Sequence, residues 1–253
     1  MAKTVIITGG ATGIGFETAK QMIQKGINVV ITGRREELGN ERAKILNGLA
    51  AEGAKAKYIK NDVTDEQAMK AIVESIVVEF GSLDYAVNNA GVSLETCLIP
   101  QSNSELFKQM IDTNILGVYY GMKYQLAQMQ KQGNGSIVNL CSIAGLNGIA
   151  YTSTYAATKH AVVGMTKSSA LDYAPMGIRI NGVAPGATKT DIIAKQLEGN
   201  DPNYNEASIS AMHPMNRLGR PEEIANGIVW LLSDEASFVT GHILNIDGGF
   251  QAK

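Results

Sequence analysis

Short β-branched or apolar runs alternate with longer amphipathic segments from one end of the chain to the other, and this rhythm restricts the fold more than any other feature of the sequence. Val5-Ile6-Ile7 precedes a helix-like stretch over residues 13–25, and Asn28-Val29-Val30-Ile31 precedes another over 36–52. Lys57-Tyr58-Ile59 leads to a helix over 65–80, and Leu83-Asp84-Tyr85-Ala86-Val87 to a long helical region ending near Gln132. Ser136-Ile137-Val138-Asn139-Leu140 is a fifth predicted strand, followed by a helix over 153–173. Ile178-Arg179-Ile180-Asn181-Gly182-Val183 is a sixth, and His242-Ile243-Leu244-Asn245-Ile246 a seventh. Continuous apolar strands are buried on both faces, and alternation of β and α elements implies a parallel sheet with helices on both sides. Right-handed crossovers then give a doubly wound α/β fold that binds ligands at the carboxyl ends of its strands. The rhythm breaks only over residues 188–219, where no strand follows promptly. A connection of that length in a compact domain is expected to be a substrate lid. Its Ile192, Ile193, Leu197, Met212 and Met215 suit either apolar substrate contacts or helix packing.

No linker, repeat or low-complexity stretch divides the 253 residues, which read as a single domain, 1–253. A net charge of −2, with 22 basic residues scattered along the chain, argues against a nucleic-acid or membrane-surface partner. Cys97 and Cys141 read as two reduced thiols, and His160, His213 and His242 show no ligand spacing, so no metal is expected. The chain goes from Met1-Ala2-Lys3 straight into its first strand, and no run approaches a membrane span; the expectation is a cytoplasmic protein.

The first strand ends in Thr8-Gly9-Gly10-Ala11-Thr12-Gly13-Ile14-Gly15 and a helix begins there. Glycines permit a tight turn and close approach of backbone to phosphate, and the helix start adds free N–H groups. The spacing Gly9, Gly13, Gly15 departs from the usual dinucleotide fingerprint, so the turn reads either as a phosphate cradle or as a structural bend. At the tip of the second strand, Thr32-Gly33-Arg34-Arg35 has no acid to meet a ribose hydroxyl of NAD. Arg34 would instead receive the 2′-phosphate of NADP, with Gly33 leaving it room. The other reading makes both arginines solvated loop residues. Asp62, after the third strand, is either an acceptor for the adenine amine or a cap before Thr64 and Glu66.

Tyr155 and Lys159 stand four apart in a predicted helix and so share one face. A phenol titrates near about 10 and is a poor base, but a nearby ammonium favours the phenolate. Ser142, at the end of the fifth strand, could hold a carbonyl while the phenol donates its proton.

With these residues, the chain resembles a short-chain dehydrogenase/reductase along essentially its whole length. The likeness runs through the glycine turn, Asn88-Asn89-Ala90-Gly91, Asn114, Ser142, Tyr155, Lys159, Pro185-Gly186 with Thr190, and Asp247-Gly248-Gly249. It implies a Rossmann-type sheet of seven parallel strands and a tetrad of Asn114, Ser142, Tyr155 and Lys159. Tyr155 would be the acid and base, and Ser142 would orient the carbonyl. Lys159 would bind the nicotinamide ribose and lower the tyrosine pKa, while Asn114 would help hold a water in a proton relay. The resemblance further implies cofactor contacts from Gly9, Thr12, Gly13, Ile14, Gly15, Arg34, Asp62 and Val63, and an adenosine wall of Asn89, Ala90 and Gly91. Pro185, Gly186, Thr188 and Thr190 would lie at the nicotinamide end, and Asn88, Gly248 and Gly249 would be structural. Many NADP-preferring members place a basic residue inside the glycine turn, where this chain has Thr12. The expectation is an NADPH-dependent carbonyl or 3-oxoacyl thioester reductase, its substrate free or carried on a carrier protein, acting as a homodimer or homotetramer. An NAD-dependent alcohol or sugar dehydrogenase and a non-catalytic nucleotide-binding scaffold are the alternatives.

Overall fold

A computed structural model describes residues 2–51, 53–197 and 205–252. Its strands are β1 (Thr4–Thr8), β2 (Asn28–Gly33), β3 (Ala56–Lys60), β4 (Tyr85–Asn88), β5 (Gly135–Leu140), β6 (Ile178–Pro185) and β7 (Ile243–Ile246). All pair in parallel, in the order β3-β2-β1-β4-β5-β6-β7. The chain winds outwards from β1 to β3 and then returns to place β4 on the other side of β1. The β1–β4 boundary is therefore the point where strand order reverses and a crevice opens at the carboxyl ends.

The apolar runs form central strands because successive side chains on a strand face opposite ways. Ile6, Val30, Ala86, Ile137 and Ile180 enter one core against α3 (Glu66–Phe80), α5 (Gly117–Gln132) and α6 (Ser153–Tyr173). Their neighbours Val5, Ile7, Val29, Ile31, Val87, Val138 and Val183 enter a second core against α1 (Gly13–Gln24), α2 (Glu36–Gly48) and α9 (Pro221–Leu232). Each fully buried side chain of this size stabilises the fold by about 1.5–3 kcal/mol.

Three elements differ from the sequence expectation. The helix expected over 36–52 stops at Gly48, and Glu52 lies outside the described residues. The long region ending at Gln132 is divided into α4 (Ser104–Ile111), a π turn (Asp112–Leu116) and α5. Helix α9 was not anticipated, although Pro221 in its first turn, followed by Glu222 and Glu223, is a proper helix start.

The 188–219 segment contains two short helices, α7 (Asp191–Leu197) and α8 (Glu206–Ala211); its residues 198–204 lie outside the described residues. Its two ends meet. Thr188 and Gly219 form a parallel bridge, with Lys189 N donating to Gly219 O at 2.9 Å and Gly219 N to Ala187 O at 2.9 Å.

Candidate active site

The crevice is built on Thr8. Its hydroxyl accepts from the backbone N–H of Asn89 at 3.0 Å and of Ala90 at 3.1 Å, which ties the exit of β1 to the exit of β4. The Asn89 amide donates to Thr8 O at 2.9 Å and Gly9 O at 3.0 Å. Gly9 adopts φ +63°, and a Cβ there would meet Asn89 Nδ2 at 3.0 Å and Ala90 Cα at 3.1 Å, so this turn needs glycine. Asn89 thus buttresses the glycine turn with its side chain. At the N-terminus of α1, Thr12 occupies the cap position without making a side-chain cap bond. The first N–H groups of that helix face the crevice end of β1, the arrangement that suits a phosphate.

At the tip of β2, a Cβ built on Gly33 meets nothing within 4 Å. The open space expected there is present. The arginine that reaches over the glycine turn is Arg35: its Nη2 donates to Thr12 Oγ1 at 3.5 Å and lies 3.7 Å from Asp191 Oδ2 of α7. Arg34 is exposed on the same loop. A strand-tip pair of arginines carries no signal in sequence for which of them reaches Thr12. Asp62 accepts from Thr64 N at 3.1 Å and Thr64 Oγ1 at 2.9 Å, a local turn, while the cap of α3 is Asp65, which accepts from Ala68 N at 2.9 Å. Val63 is buried against the start of α5, where a Cβ on Gly117 would collide with it.

Ser142, Tyr155 and Lys159 converge at the ends of β5 and α6. The Ser142 hydroxyl is near enough to the Tyr155 phenol to favour its ionised form, and its Oγ accepts from Ala144 N at 3.1 Å. Lys159 is 5% exposed; its Nζ donates to Leu140 O at 2.8 Å and lies 5.8 Å from the Tyr155 ring centroid. Burial pushes the phenol up to about 12, against the opposing effect of the Ser142 hydrogen bond. Burial also brings the Lys159 ammonium down to about 8. The sequence expectation that the lysine lowers the tyrosine pKa is therefore not met in the chain by itself. Desolvation is the largest influence on both side chains, and the ammonium gives its hydrogen bond to a backbone carbonyl. At neutral pH the pair is a protonated phenol beside a charged lysine, a proton donor ready for a carbonyl oxygen.

Asn114 lies at the middle of the π turn and is fully buried. Its Nδ2 donates to Val92 O at 2.8 Å and Thr158 Oγ1 at 3.0 Å, and its Oδ1 accepts from Val92 N at 2.8 Å. Thr158 Oγ1 donates in turn to Tyr155 O at 2.7 Å. The side chain expected to serve a water relay thus braces the loop after β4 against α6, and the π turn re-aims it there. Deeper in the same core, Asn88 bonds Gln125 and Asn139, and Asn139 bonds Thr166 at 2.9 Å, so β4, β5, α5 and α6 share one satisfied polar network.

At the other end, Gly186 N donates to Ile246 O at 3.0 Å, and the Thr188 hydroxyl, 4% exposed with its residue, donates to Gly186 O at 2.9 Å. Thr190 donates to Thr188 O at 3.2 Å, and its methyl would sit 3.3 Å from a Cβ on Gly13. Contacts thus link Arg35 to Thr12, Gly13 to Thr190, Thr190 to Thr188 and Thr188 to Gly186, joining the glycine turn to the segment after β6. Among the described residues, no group of three or more His, Cys, Asp or Glu could hold a metal ion, and no helix is long and apolar enough to cross a membrane.

A proton donor with a hydroxyl near it, set where a doubly wound sheet opens, makes the protein a nicotinamide-dependent oxidoreductase of carbonyls and alcohols. A family model described as Enoyl-(Acyl carrier protein) reductase matches residues 9–251. The chain is 40% identical over 251 residues to a 2,5-dichloro-2,5-cyclohexadiene-1,4-diol dehydrogenase of Sphingobium indicum, covering 99% of this chain and 97% of the relative. It is 41% identical over 251 residues to a cyclohexanol dehydrogenase of an Acinetobacter species, covering 99% and 96%. The solved structure of ElxO with NADP bound superposes with a TM-score of 0.92 at 43% identity, covering all of both chains. The protein belongs to the short-chain dehydrogenase/reductase family and interconverts a ketone and a secondary alcohol.

Proposed function

We propose that the protein is an NADP(H)-dependent reductase of ketones on or beside a six-membered ring, with Tyr155 as its proton donor. The observation that carries this reading is the convergence of Ser142, at the exit of β5, with Tyr155 and Lys159 of α6, the Lys159 Nζ lying 5.8 Å from the Tyr155 ring centroid. The ring-sized substrate is supported by the names of the two dehydrogenase relatives. The choice of NADP is supported by Arg35 over Thr12, by the open space at Gly33 and by the NADP-bound ElxO.

The open space at Gly33 and the Arg35 guanidinium over Thr12 support a fit to the cofactor. Gly9, Gly13, Ile14 and Gly15 would meet its pyrophosphate and Arg35, with Arg34, its 2′-phosphate. Asp62, Val63, Asn89, Ala90 and Gly91 would enclose the adenosine, and Pro185, Gly186, Thr188 and Thr190 the nicotinamide. The bound cofactor supplies or accepts a hydride. Ser142 holds the carbonyl oxygen, Tyr155 donates its proton to that oxygen, and Lys159 provides the positive charge that favours the phenolate left behind. Asn114 keeps the Tyr155 helix in register. In the reverse direction, the phenolate takes the alcohol proton.

Residues 1–253 work as one domain, with 188–219 covering the substrate, in a cytoplasmic homodimer or homotetramer. Exposed Leu171 on α6 and Phe238 before β7 support self-association. A second reading, reduction of a 3-oxoacyl thioester on a carrier protein, is favoured by the name of a relative 38% identical over 247 residues, a 3-oxoacyl-[acyl-carrier-protein] reductase of Thermotoga maritima. Fluorescence titration with NADPH and NADH, followed by turnover of cyclohexanones and 3-oxoacyl thioesters, tests both. Tighter NADPH binding with cyclohexanone reduction is the expected result. NADH preference would overturn the cofactor assignment, and thioester-only turnover the substrate.

A further inference from the structure

His213 is 3% exposed, yet the reacting group has no use for it. Its ring lies where three segments meet: the exit of the 188–219 segment after α8, the residues after β6, and the turn after β7. Nδ1 is 2.7 Å from Asp247 O. A carbonyl can only accept, so Nδ1 carries the proton. Nε2 is then an acceptor, and it receives the N–H of Ala187 at 3.3 Å. One neutral tautomer satisfies both contacts. The ring also packs on Phe250, with centroids 5.4 Å apart, and Met215 N donates to Gly248 O at 3.1 Å beside it. A Cβ on Gly186 would come within 2.7 Å of His213 Cε1, so the backbone after β6 lies directly on the imidazole.

The charged groups around the ring are already engaged. The Asp247 carboxylate accepts from Gly249 N at 3.0 Å and Gln251 N at 2.9 Å. Arg217 and Glu223, which line the same cavity of about 150 Å³, are joined by two hydrogen bonds of 2.8 and 2.7 Å. A second proton on His213 would enter at Nε2, turning that nitrogen into a donor that faces the Ala187 N–H. The contact to Ala187 would then break.

We propose that neutral His213 is a positioning residue for the nicotinamide end of the cofactor. It pins Gly186, Ala187 and Thr188 in their binding position and releases them when it takes a second proton. This rests on the assignment of Gly186 and Thr188, on either side of Ala187, to the nicotinamide under the proposed function.

Calorimetric titration of the whole protein with NADP+ tests it, at neutral and mildly acidic pH, beside the adenosine bisphosphate half of the molecule as a probe without nicotinamide. Wild-type affinity for NADP+ is expected to fall about tenfold more than affinity for the fragment on acidification, the scale of one lost buried hydrogen bond. His213→Phe, which keeps a ring against Phe250, should bind NADP+ about tenfold more weakly at neutral pH, with no excess acid loss. His213→Gln, which can still offer an acceptor to Ala187, should restore neutral affinity and also lack the acid loss. Equal pH dependence for NADP+ and the fragment in the wild type overturns the proposal even if His213→Phe fails to fold. So does an excess acid loss that persists in His213→Gln. Failure of the wild type to bind NADP+ at all would instead overturn the proposed function.

Discussion

Lys159 Nζ lies 5.8 Å from the centroid of the Tyr155 ring and gives its hydrogen bond to the Leu140 carbonyl, 2.8 Å away, so the two side chains share a desolvated space without a direct bond between them. The phenol is pushed up to about 12 and the ammonium down to about 8 by the same loss of water.

Removing only the transferable proton isolates the role of the phenol. Tyr155→Phe keeps the ring and its packing, so NADPH affinity should change by less than about twofold, while turnover falls by about 10²–10⁴. Steady-state kinetics with a parallel fluorescence titration checks this, and turnover like that of the wild type would rule out the acid and base role.

The lysine makes a prediction about stability with a definite sign. Its folded value of about 8 lies below its ordinary 10.5, so burial penalises the charged form. The penalty is fully present below about pH 8 and is relieved as pH rises from there towards 10.5, because the unfolded chain then binds more protons. Lys159→Met, similar in length, should therefore melt higher than the wild type at neutral pH, by about 2–4 °C per kcal/mol of penalty removed, while losing turnover. The melting difference should shrink as pH rises through that window. A variant that melts lower at neutral pH would show that the bond to Leu140 O outweighs desolvation.

Cofactor choice should respond to Arg35 more than to Arg34. Arg35 stands over Thr12, and a charge-assisted bond to phosphate is worth about 1.5–3 kcal/mol. Arg35→Ser should weaken NADPH binding by about tenfold to a hundredfold and leave NADH nearly unchanged. Matching titrations of Arg34→Ser, expected to lose less, complete the measurement. The reverse ranking would return the phosphate to Arg34.

Glu223 is held down to about 2, first by the Arg217 hydrogen bonds and then by the Arg220 N–H at 2.8 Å. Its stabilisation is fully present above the ordinary value of 4.5 and is lost as pH falls through about 2. Glu223→Gln should be less stable than the wild type at neutral pH by about 1 kcal/mol, discounted for a pair that water reaches. Denaturant unfolding at several pH values should show the gap closing in acid. A gap independent of pH would mean the pair contributes through shape alone.

The sheet was legible because its signal is local and repeated: Val5-Ile6-Ile7 or Val29-Val30-Ile31 has only one comfortable environment, between two helical layers. Tyr155 and Lys159 were legible because four residues on a helix fix a common face. What escaped depends on contacts between distant segments. Nothing in the sequence says that Asn114 spends its amide on Val92 and Thr158, since the π turn that aims it has no strong residue signature. Nor does spacing reveal that Asn88, Gln125, Asn139 and Thr166 meet in one network. The pKa expectation failed for a related reason. A pair seen in sequence carries its mutual attraction on the page, whereas its desolvation belongs to the whole surrounding fold. Helix α9 does carry a local start signal, in Pro221, Glu222 and Glu223.

The bridge between Thr188 and Gly219 has an evolutionary consequence. Once the two ends of a segment are fastened to each other, its interior is a cassette. Residues can be exchanged or inserted between the fastened ends without shifting the strand before or the helix after, and each doubling of loop length adds only about 0.6 kcal/mol to the closure cost. Change inside that cassette can therefore accumulate while the crevice built on Thr8 and Asn89 keeps its geometry.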